Sequence, residues 1–357
     1  MGRNATESGK SAGPDMLIDL RDGIYADDFV IAAVAWLDLF TWLSGNPSAP
    51  EEIADSLGLA ARPLDVLLTL LSALGLVERR DGVIVTTPVS ERYLVAGRPE
   101  FLGPFFASQK DRPPCVDLYE VLKTGDPAGW SSREDTKDWE SLMAENLFAG
   151  GFTAAMDSRG AVLAPAMARA IPCEGYSRIL DVAGGSGVYA CAVVEQYPHM
   201  RATVLEKPPV DEVARAMIAE KGFSDRVEVI GSDMFASALP GGFDVHLWSH
   251  VLHDWSQDEV RLLLSRSFES LNPGGTVVIH DAHINAEKTG PLAVARFSVL
   301  LMHSTRGKCY SMGEMGGYLE DCGFVELGYV DTTGSRSIIT AVKPPSSAGN
   351  MPNALRR

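Results

Sequence analysis

The sequence predicts an α/β protein with a mostly helical amino-terminal part, and three observations carry that expectation. From Ser177 onward, short β-branched runs alternate with helical stretches, the grammar of a parallel sheet wound with helices. The run Asp181-Val-Ala-Gly-Gly-Ser-Gly187 lies where the first of those strands gives way to a helix, the place where open α/β sheets bind ligands. Ahead of both, residues 48–87 read as helix, turn, helix and hairpin, which together make a winged helix.

The 357 residues suffice for two domains with a smaller appendage, at roughly 150 residues per domain. We divide them into a winged-helix domain over 15–110, a helical linker over 111–170 and a sheet domain over 171–345. In residues 15–45, Ile18, Phe29, Ile31, Val34, Ala35, Leu37 and Leu39 recur at helical spacing. That is too apolar for one buried face, so a second subunit is the expected cover. Ser48 and Glu51 read as a capping box ahead of the next helix, and a leucine-rich helix is expected from Pro63 to Leu74. Asp81-Gly82 marks the hairpin turn.

A winged helix invites a DNA-binding reading, and charge argues against it. Between Glu51 and Leu74, four carboxylates (Glu51, Glu52, Asp55, Asp65) stand against Arg62 alone, and the whole chain carries a formal charge of −16. No Lys/Arg run exceeds two residues, so phosphate backbones are repelled and no nucleic-acid partner is expected. Five scattered cysteines without C-x-x-C spacing fit a reducing, cytoplasmic setting. The longest apolar stretch, 29–43, is interrupted by Asp38 and too short to span a bilayer, so no membrane partner is expected either.

The sheet domain reads in order as a strand at RILDVAG, a helix to about Tyr197, the strand ATVLE, a helix from Val210 to Lys221, then RVEVIG and FDVHLWS. A helix capped by Ser256 and Glu259 follows, then the turn Asn272-Pro273-Gly274-Gly275, the strand TVVIHD, a helix in GEMGGYLEDCGF, and a closing pair, VELGYVD and RSIITAVK.

Gly184, Gly185 and Gly187 let backbone approach a cofactor closely, although Gly185-x-Gly187-x-x-Ala190 also satisfies a dinucleotide pattern. Glu206, ending the second strand, suits ribose hydroxyls in either case. Asp181 discriminates: a carboxylate before the glycines sits badly beside a pyrophosphate and well beside a cationic methionine tail, while Asp233 in Gly231-Ser-Asp-Met-Phe235 suits an adenine amino group. S-adenosylmethionine therefore fits better than NAD. Each residue has a plainer reading too, as a tight turn, a strand-end charge or a turn cap.

The run Trp248-Ser-His-Val-Leu-His253-Asp254-Trp255 follows the fourth strand of the domain, at the carboxyl edge facing the crevice. His253 is the candidate base. Full transfer from a phenol near pKa 10 to an imidazole near 6.5 is uphill by about 4.8 kcal/mol, so proton removal should accompany attack. From the residues alone, His253 reads equally well as a helix-cap histidine. Six of the seven histidines lie between 246 and 303. Of these His253 and His303, with Asp254, offer a minor metal reading, but we expect no metal, and His246 and His280 look like core or interface histidines.

Taken together, LDVAGGSG, Glu206, GSDMF, VLHDWSQDE and LNPGG, in that order, resemble the small-molecule O-methyltransferase family of plant phenolic and actinobacterial antibiotic-tailoring enzymes. The resemblance covers about 15–343. It implies a Rossmann-like class I methyltransferase domain behind a winged-helix dimerisation domain, a homodimer, and S-adenosylmethionine bound near Asp181, Gly184, Gly185, Gly187, Glu206, Asp233, Met234, Phe235 and Ser249. His253 is implied as base. Two glutamates that steer the histidine in many relatives are here Asp281 and, within Gly307-Lys-Cys-Tyr-Ser311, Cys309. A lysine common near the adenine is replaced by Ser249. Met302 and His303 fall where relatives contact the acceptor. Phe148, Phe152 and Met156 form a helical stripe that reads as core or as pocket lining, and Cys309 reads as a small core residue or a pocket thiol.

The expected activity is S-adenosylmethionine-dependent methylation of a phenolic hydroxyl on an aromatic secondary metabolite. Methylation at carbon or nitrogen, and a non-catalytic cofactor-binding regulator, are the alternatives.

Overall fold

The alternation read from Ser177 onward recurs in the computed structural model, which describes residues 13–128 and 146–345. Two compact units emerge. One comprises Met1–Thr136, Glu287–Cys309 and Thr333–Arg336; the other comprises Lys137–Ala286, Tyr310–Thr332 and Ser337–Arg357.

The first unit is helical around a two-stranded antiparallel hairpin, β1 (Val77–Arg80) and β2 (Val83–Thr86). Asp81 and Gly82 both take positive φ, 50° and 87°, as a two-residue turn matched to strand twist requires. The helix Ala61–Ala73 buries Leu64, Leu67, Leu68, Leu70 and Leu71, so its leucines form core, while its Asp65 pairs with Lys288 and Lys308. One sequence expectation is corrected here. The helix Pro50–Leu57 begins after Ala49, whose N–H donates to Glu52 Oε2 at 3.1 Å, while the Ser48 carbonyl accepts from Ile84 N–H at 2.8 Å. Pro50 supplies the first helical residue without an N–H to satisfy, which moves the cap one residue beyond Ser48.

Arg336 and Asp22, both almost fully buried, pair at 2.6 Å within this unit. The guanidinium also lies 4.7 Å from the Phe297 ring centre, and the Gly334 carbonyl accepts from it at 2.8 Å. A buried pair needs such additional partners, because desolvation offsets much of the Coulombic gain.

The second unit holds a seven-stranded sheet. Its strands are β3 (Arg178–Val182), β4 (Arg201–Glu206), β5 (Val227–Gly231), β6 (Phe243–Ser249), β7 (Leu271–Asp281), β8 (Val325–Asp331) and β9 (Ser337–Val342), in the spatial order β5-β4-β3-β6-β7-β9-β8. All neighbours from β5 to β7 are parallel, and β9 is antiparallel to both β7 and β8. Ile179, Leu180 and Val182 on β3 have no exposed surface, as a strand covered by helices on both faces demands. The strand order reverses between β3 and β6, creating a crevice at their carboxyl ends. Ser256 and Glu259 form the expected capping box of the helix Gln257–Ser270, Ser256 N–H donating to Glu259 Oε2 at 2.9 Å. Among the described residues, no single helix is long and apolar enough to cross a membrane.

Candidate active site

Both halves of the sequence-predicted site meet that crevice. The glycine turn leaves β3 directly after Val182 and enters the helix Val188–Gln196. Gly187 has φ +73°, and a Cβ there would stand 2.8 Å from Ile218 Cδ1; at Gly184 it would stand 2.6 Å from the Asp181 carboxylate. These glycines allow close packing as well as a tight turn.

Asp181 is fully buried, and neither carboxylate oxygen has a hydrogen-bond partner within 3.5 Å among the described residues. Burial pushes its pKa up to about 7, with the nearby Glu206 adding to the rise and the Ala190 N–H opposing it. Burial raises Glu206 too, although it accepts N–H bonds from Gly185 and Lys207, both at 2.8 Å. Two carboxylates held at a cost beside an open glycine turn suit a cationic ligand bearing hydroxyls. That is the chemistry of S-adenosylmethionine, and the residues fit it.

Asp233 takes the turn role as well: its Oδ1 accepts from Phe235 N–H at 2.8 Å, while Lys207 Nζ stands 3.4 Å from Oδ2. Met234 is buried, and Phe235 packs edge-on against Trp255 with ring centres 4.6 Å apart. Ser249 Oγ is 2.9 Å from His280 Nδ1.

The parallel register of β6 and β7 sets the second half. Ser249 lies opposite His280, and His250 N–H donates to the His280 carbonyl at 3.0 Å. The residues that follow, His250 to His253 on one side and Asp281 on the other, therefore emerge side by side. His253 Nδ1–H donates to Asp281 Oδ1 at 2.6 Å, a tautomer that leaves Nε2 with its lone pair. Asp281 Oδ1 also accepts from Ala282 N–H at 2.8 Å.

His253 and Asp281 are both buried. Burial alone would depress His253, but the Asp281 and Asp254 carboxylates outweigh it and raise its pKa, against the field of Arg159. Burial likewise acts to raise Asp281, and the imidazole overrides it, holding the carboxyl down at about 2. A raised imidazole narrows its gap to a phenol and makes proton acceptance less uphill.

Sequence reasoning passed over His250 as a neighbour of the pair and read Asp254 only as a minor metal ligand. His250 Nδ1 lies 3.7 Å from the same Asp281 oxygen, and Asp254 Oδ1 lies 3.6 Å from His253 Nε2. The three-residue spacing His250-x-x-His253 at a strand end was the available signal. His246 meets its plainer reading: fully buried, bonded to Ser267 Oγ at 2.7 Å, and pushed down to about 3 by burial.

The acceptor candidates divide between the units. Phe148, Phe152 and Met156 lie on the helix Asn146–Ala170, half-buried, with Phe148 and Phe152 stacked at 6.3 Å. Met302, His303 and Cys309 are buried in the first unit. There the His303 ring lies tilted against Tyr25 with centres 4.3 Å apart, and its Nε2 is 3.8 Å from Asp117 Oδ2. Cys309 N–H donates to Ser298 Oγ at 3.1 Å. His253 and Asp254 belong to the second unit and His303 to the first. Among the described residues, His250, His253 and Asp281 bring donor atoms together.

Comparison with known proteins agrees with this geometry. A family profile described as an O-methyltransferase domain matches residues 118–325. The chain is 31% identical to the 3-hydroxy-5-methyl-1-naphthoate 3-O-methyltransferase of Streptomyces sahachiroi, over 92% of this chain and 95% of that one. It is 29% identical to an L-tyrosine C(3)-methyltransferase of Streptomyces lavendulae, covering 82% of each. Among solved structures, an O-methyltransferase family 2 protein of Planctomyces limnophilus in complex with apigenin superposes with a TM-score of 0.83 at 29% identity, covering 92% of this chain and 96% of that one.

Proposed function

Since the chain belongs to the O-methyltransferase family, we propose that its acceptor is a phenolic hydroxyl on a small aromatic molecule of secondary metabolism. The enzyme is an S-adenosylmethionine-dependent methyltransferase of the Rossmann-like class. The naphthoate acted on by the Streptomyces sahachiroi relative supports a fused aromatic acceptor for this chain.

One observation carries the mechanism: His253 commits Nδ1 to Asp281 at 2.6 Å, which leaves Nε2 to accept a proton. Asp181, the glycine turn and Glu206 would hold the cofactor, with Asp233, Met234, Phe235 and Ser249 around its base. S-adenosylmethionine, when bound, supplies an electrophilic methyl carbon and a positive charge. With it bound, His253 Nε2 would take the acceptor's hydroxyl proton, freeing an oxygen lone pair for the methyl group the cofactor would supply. Asp281 keeps the ring oriented and stabilises the imidazolium that forms. Phe148, Phe152 and Met156, in the unit that carries His253, are the proposed acceptor contacts. The test is incubation with S-adenosylmethionine and a panel of hydroxylated naphthoates and flavonoids. A product heavier by one methyl, assigned to oxygen by NMR, supports the reading. Tight duplex-DNA binding without turnover of any panel member would replace it with a regulatory one.

Methylation at a ring carbon is the second reading, favoured by Cys309, a thiol where the family resemblance implies a glutamate. A phenolate is also nucleophilic at its ortho carbon, so the same base serves. The same NMR assignment separates the two.

We further place the enzyme in the cytoplasm as a homodimer, without nucleic-acid or membrane partners. Five free cysteines support the compartment. Met16, Leu17, Leu20 and Ile24 support the dimer, each more than half exposed along the first helix and the residues just after it. An apolar cluster left open in this way marks an association surface. Light scattering on the wild type and on Leu20→Asp tests it, the variant being expected to dissociate.

A further inference from the structure

We propose that His250, His253 and Asp281 form a site for a zinc-class divalent cation whose occupation is mutually exclusive with methyl transfer. One nitrogen from each imidazole and one carboxylate oxygen all lie within 4.8 Å of one another. Tetrahedral zinc, bonded at about 2.0–2.1 Å, sets its donors roughly 3.4 Å apart. His250 Nδ1 and Asp281 Oδ1, at 3.7 Å, already stand near that spacing. His253 Nδ1 and Asp281 Oδ1, at 2.6 Å, must part by about 0.8 Å to reach it.

The donor chemistry selects the ion. Two imidazoles and a carboxylate suit zinc and its neighbours in the first transition row. Magnesium, which favours an all-oxygen octahedron, does not match. All three residues are at most 9% exposed; Asp281 ends β7, His250 directly follows β6 and His253 sits in the short helical turn Leu252–Asp254 after it, so adjacent parallel strands bring the donors together. The Asp254 carboxylate, 3.6 Å from His253 Nε2, adds negative charge in favour of a dication.

Binding changes the tautomer of His253. The Nδ1 proton passes by way of solvent to Nε2, so the neutral ring loses no net proton, and the freed Nδ1 lone pair goes to the ion. The inference rests on the reading of His253 as base: an imidazole that ligates the metal through Nδ1 carries its remaining proton on Nε2 and accepts none from the acceptor. Zinc is thus expected to inhibit, with relief by chelation.

The test titrates metal-free enzyme with cobalt(II), whose visible absorption reports tetrahedral nitrogen and oxygen ligation, and measures turnover against zinc concentration. His250→Asn and His250→Gln provide two chances of a folded variant, checked by circular dichroism. Cobalt absorption in the wild type, reduced about tenfold or more in apparent affinity in either variant, supports the site. So does a matching rise in the zinc concentration that halves turnover. Absent cobalt absorption, or identical cobalt and zinc responses in the variants, overturns it. If no acceptor is methylated, the functional reading falls while the cobalt titration still decides the metal site.

Discussion

Asp281 Oδ1 accepts the His253 Nδ1–H at 2.6 Å and the Ala282 N–H at 2.8 Å, so backbone holds the carboxylate that holds the ring. Asp281→Asn preserves the shape and removes the charge. The amide NH₂ can then face Nδ1, forcing the ring proton onto Nε2, where the base is needed. We expect kcat to fall by about 10²–10⁴ with little change in acceptor KM, since the interaction matters most once the imidazolium forms. Steady-state kinetics checks this, and a loss confined to KM would assign Asp281 to acceptor binding.

His253→Ala removes the proposed proton acceptor itself. Turnover should drop by roughly 10²–10⁴, while S-adenosylhomocysteine binding, measured by calorimetry, should be retained because the proposed cofactor residues lie on β3, β4, the segment after β5 and the end of β6 and do not include His253. Turnover within a few-fold of wild type, from a variant that still binds the product, would strip His253 of its role.

The pair shows what the sequence could and could not disclose. Glycine turn, strand order of hydrophobicity and the Asp81-Gly82 hairpin are local signals, and each appears where it was read. His253 and Asp281 are 28 positions apart, and their contact depends on which strands become neighbours and in what register; only family resemblance joined them beforehand. His250 went unread because its partner oxygen belongs to that same long-range pairing. The Ser48 capping box failed for a local reason: Pro50 accepted the first helical position, and the Ser48 carbonyl was drawn into a bridge with Ile84.

If the cofactor lies beside Asp181 as proposed, the pKa that burial pushes up to about 7 should make cofactor affinity depend on pH. A cation beside it favours the ionised form, so S-adenosylmethionine affinity should rise as pH approaches 7, by up to about tenfold per unit. Above 7 it should level off. For the free protein the sign is opposite. The folded state retains a proton that the unfolded chain releases near pH 4, so this residue's contribution to stability is full below 4 and is lost as pH rises through 7. Asp181→Asn should therefore flatten the pH dependence of cofactor binding, weaken binding at pH 8, and leave the free enzyme melting no lower than wild type there. Calorimetry and thermal melts across pH 5–8 test both signs, and unchanged pH dependence in the variant would move the effect to another group.

Gly187 and Gly185 separate conformational strain from steric conflict. Both have positive φ, +73° and +56°, but a Cβ at Gly185 meets open space, whereas at Gly187 it meets Ile218 Cδ1 at 2.8 Å and Cγ1 at 2.9 Å. Gly185→Ala should cost about 1 kcal/mol from backbone strain alone. Gly187→Ala adds overpacking against a buried helix residue, for a total of about 2–4 kcal/mol. Shortening that neighbour by Ile218→Val removes Cδ1 and relieves part of the clash, so the double variant should melt higher than the sum of the single losses allows. The φ strain at Gly187 persists in the double variant and caps the rescue. Equal destabilisation by Gly185→Ala and Gly187→Ala in denaturant unfolding would mean that the helix Val210–Glu220, which carries Ile218, yields to the added methyl without resistance.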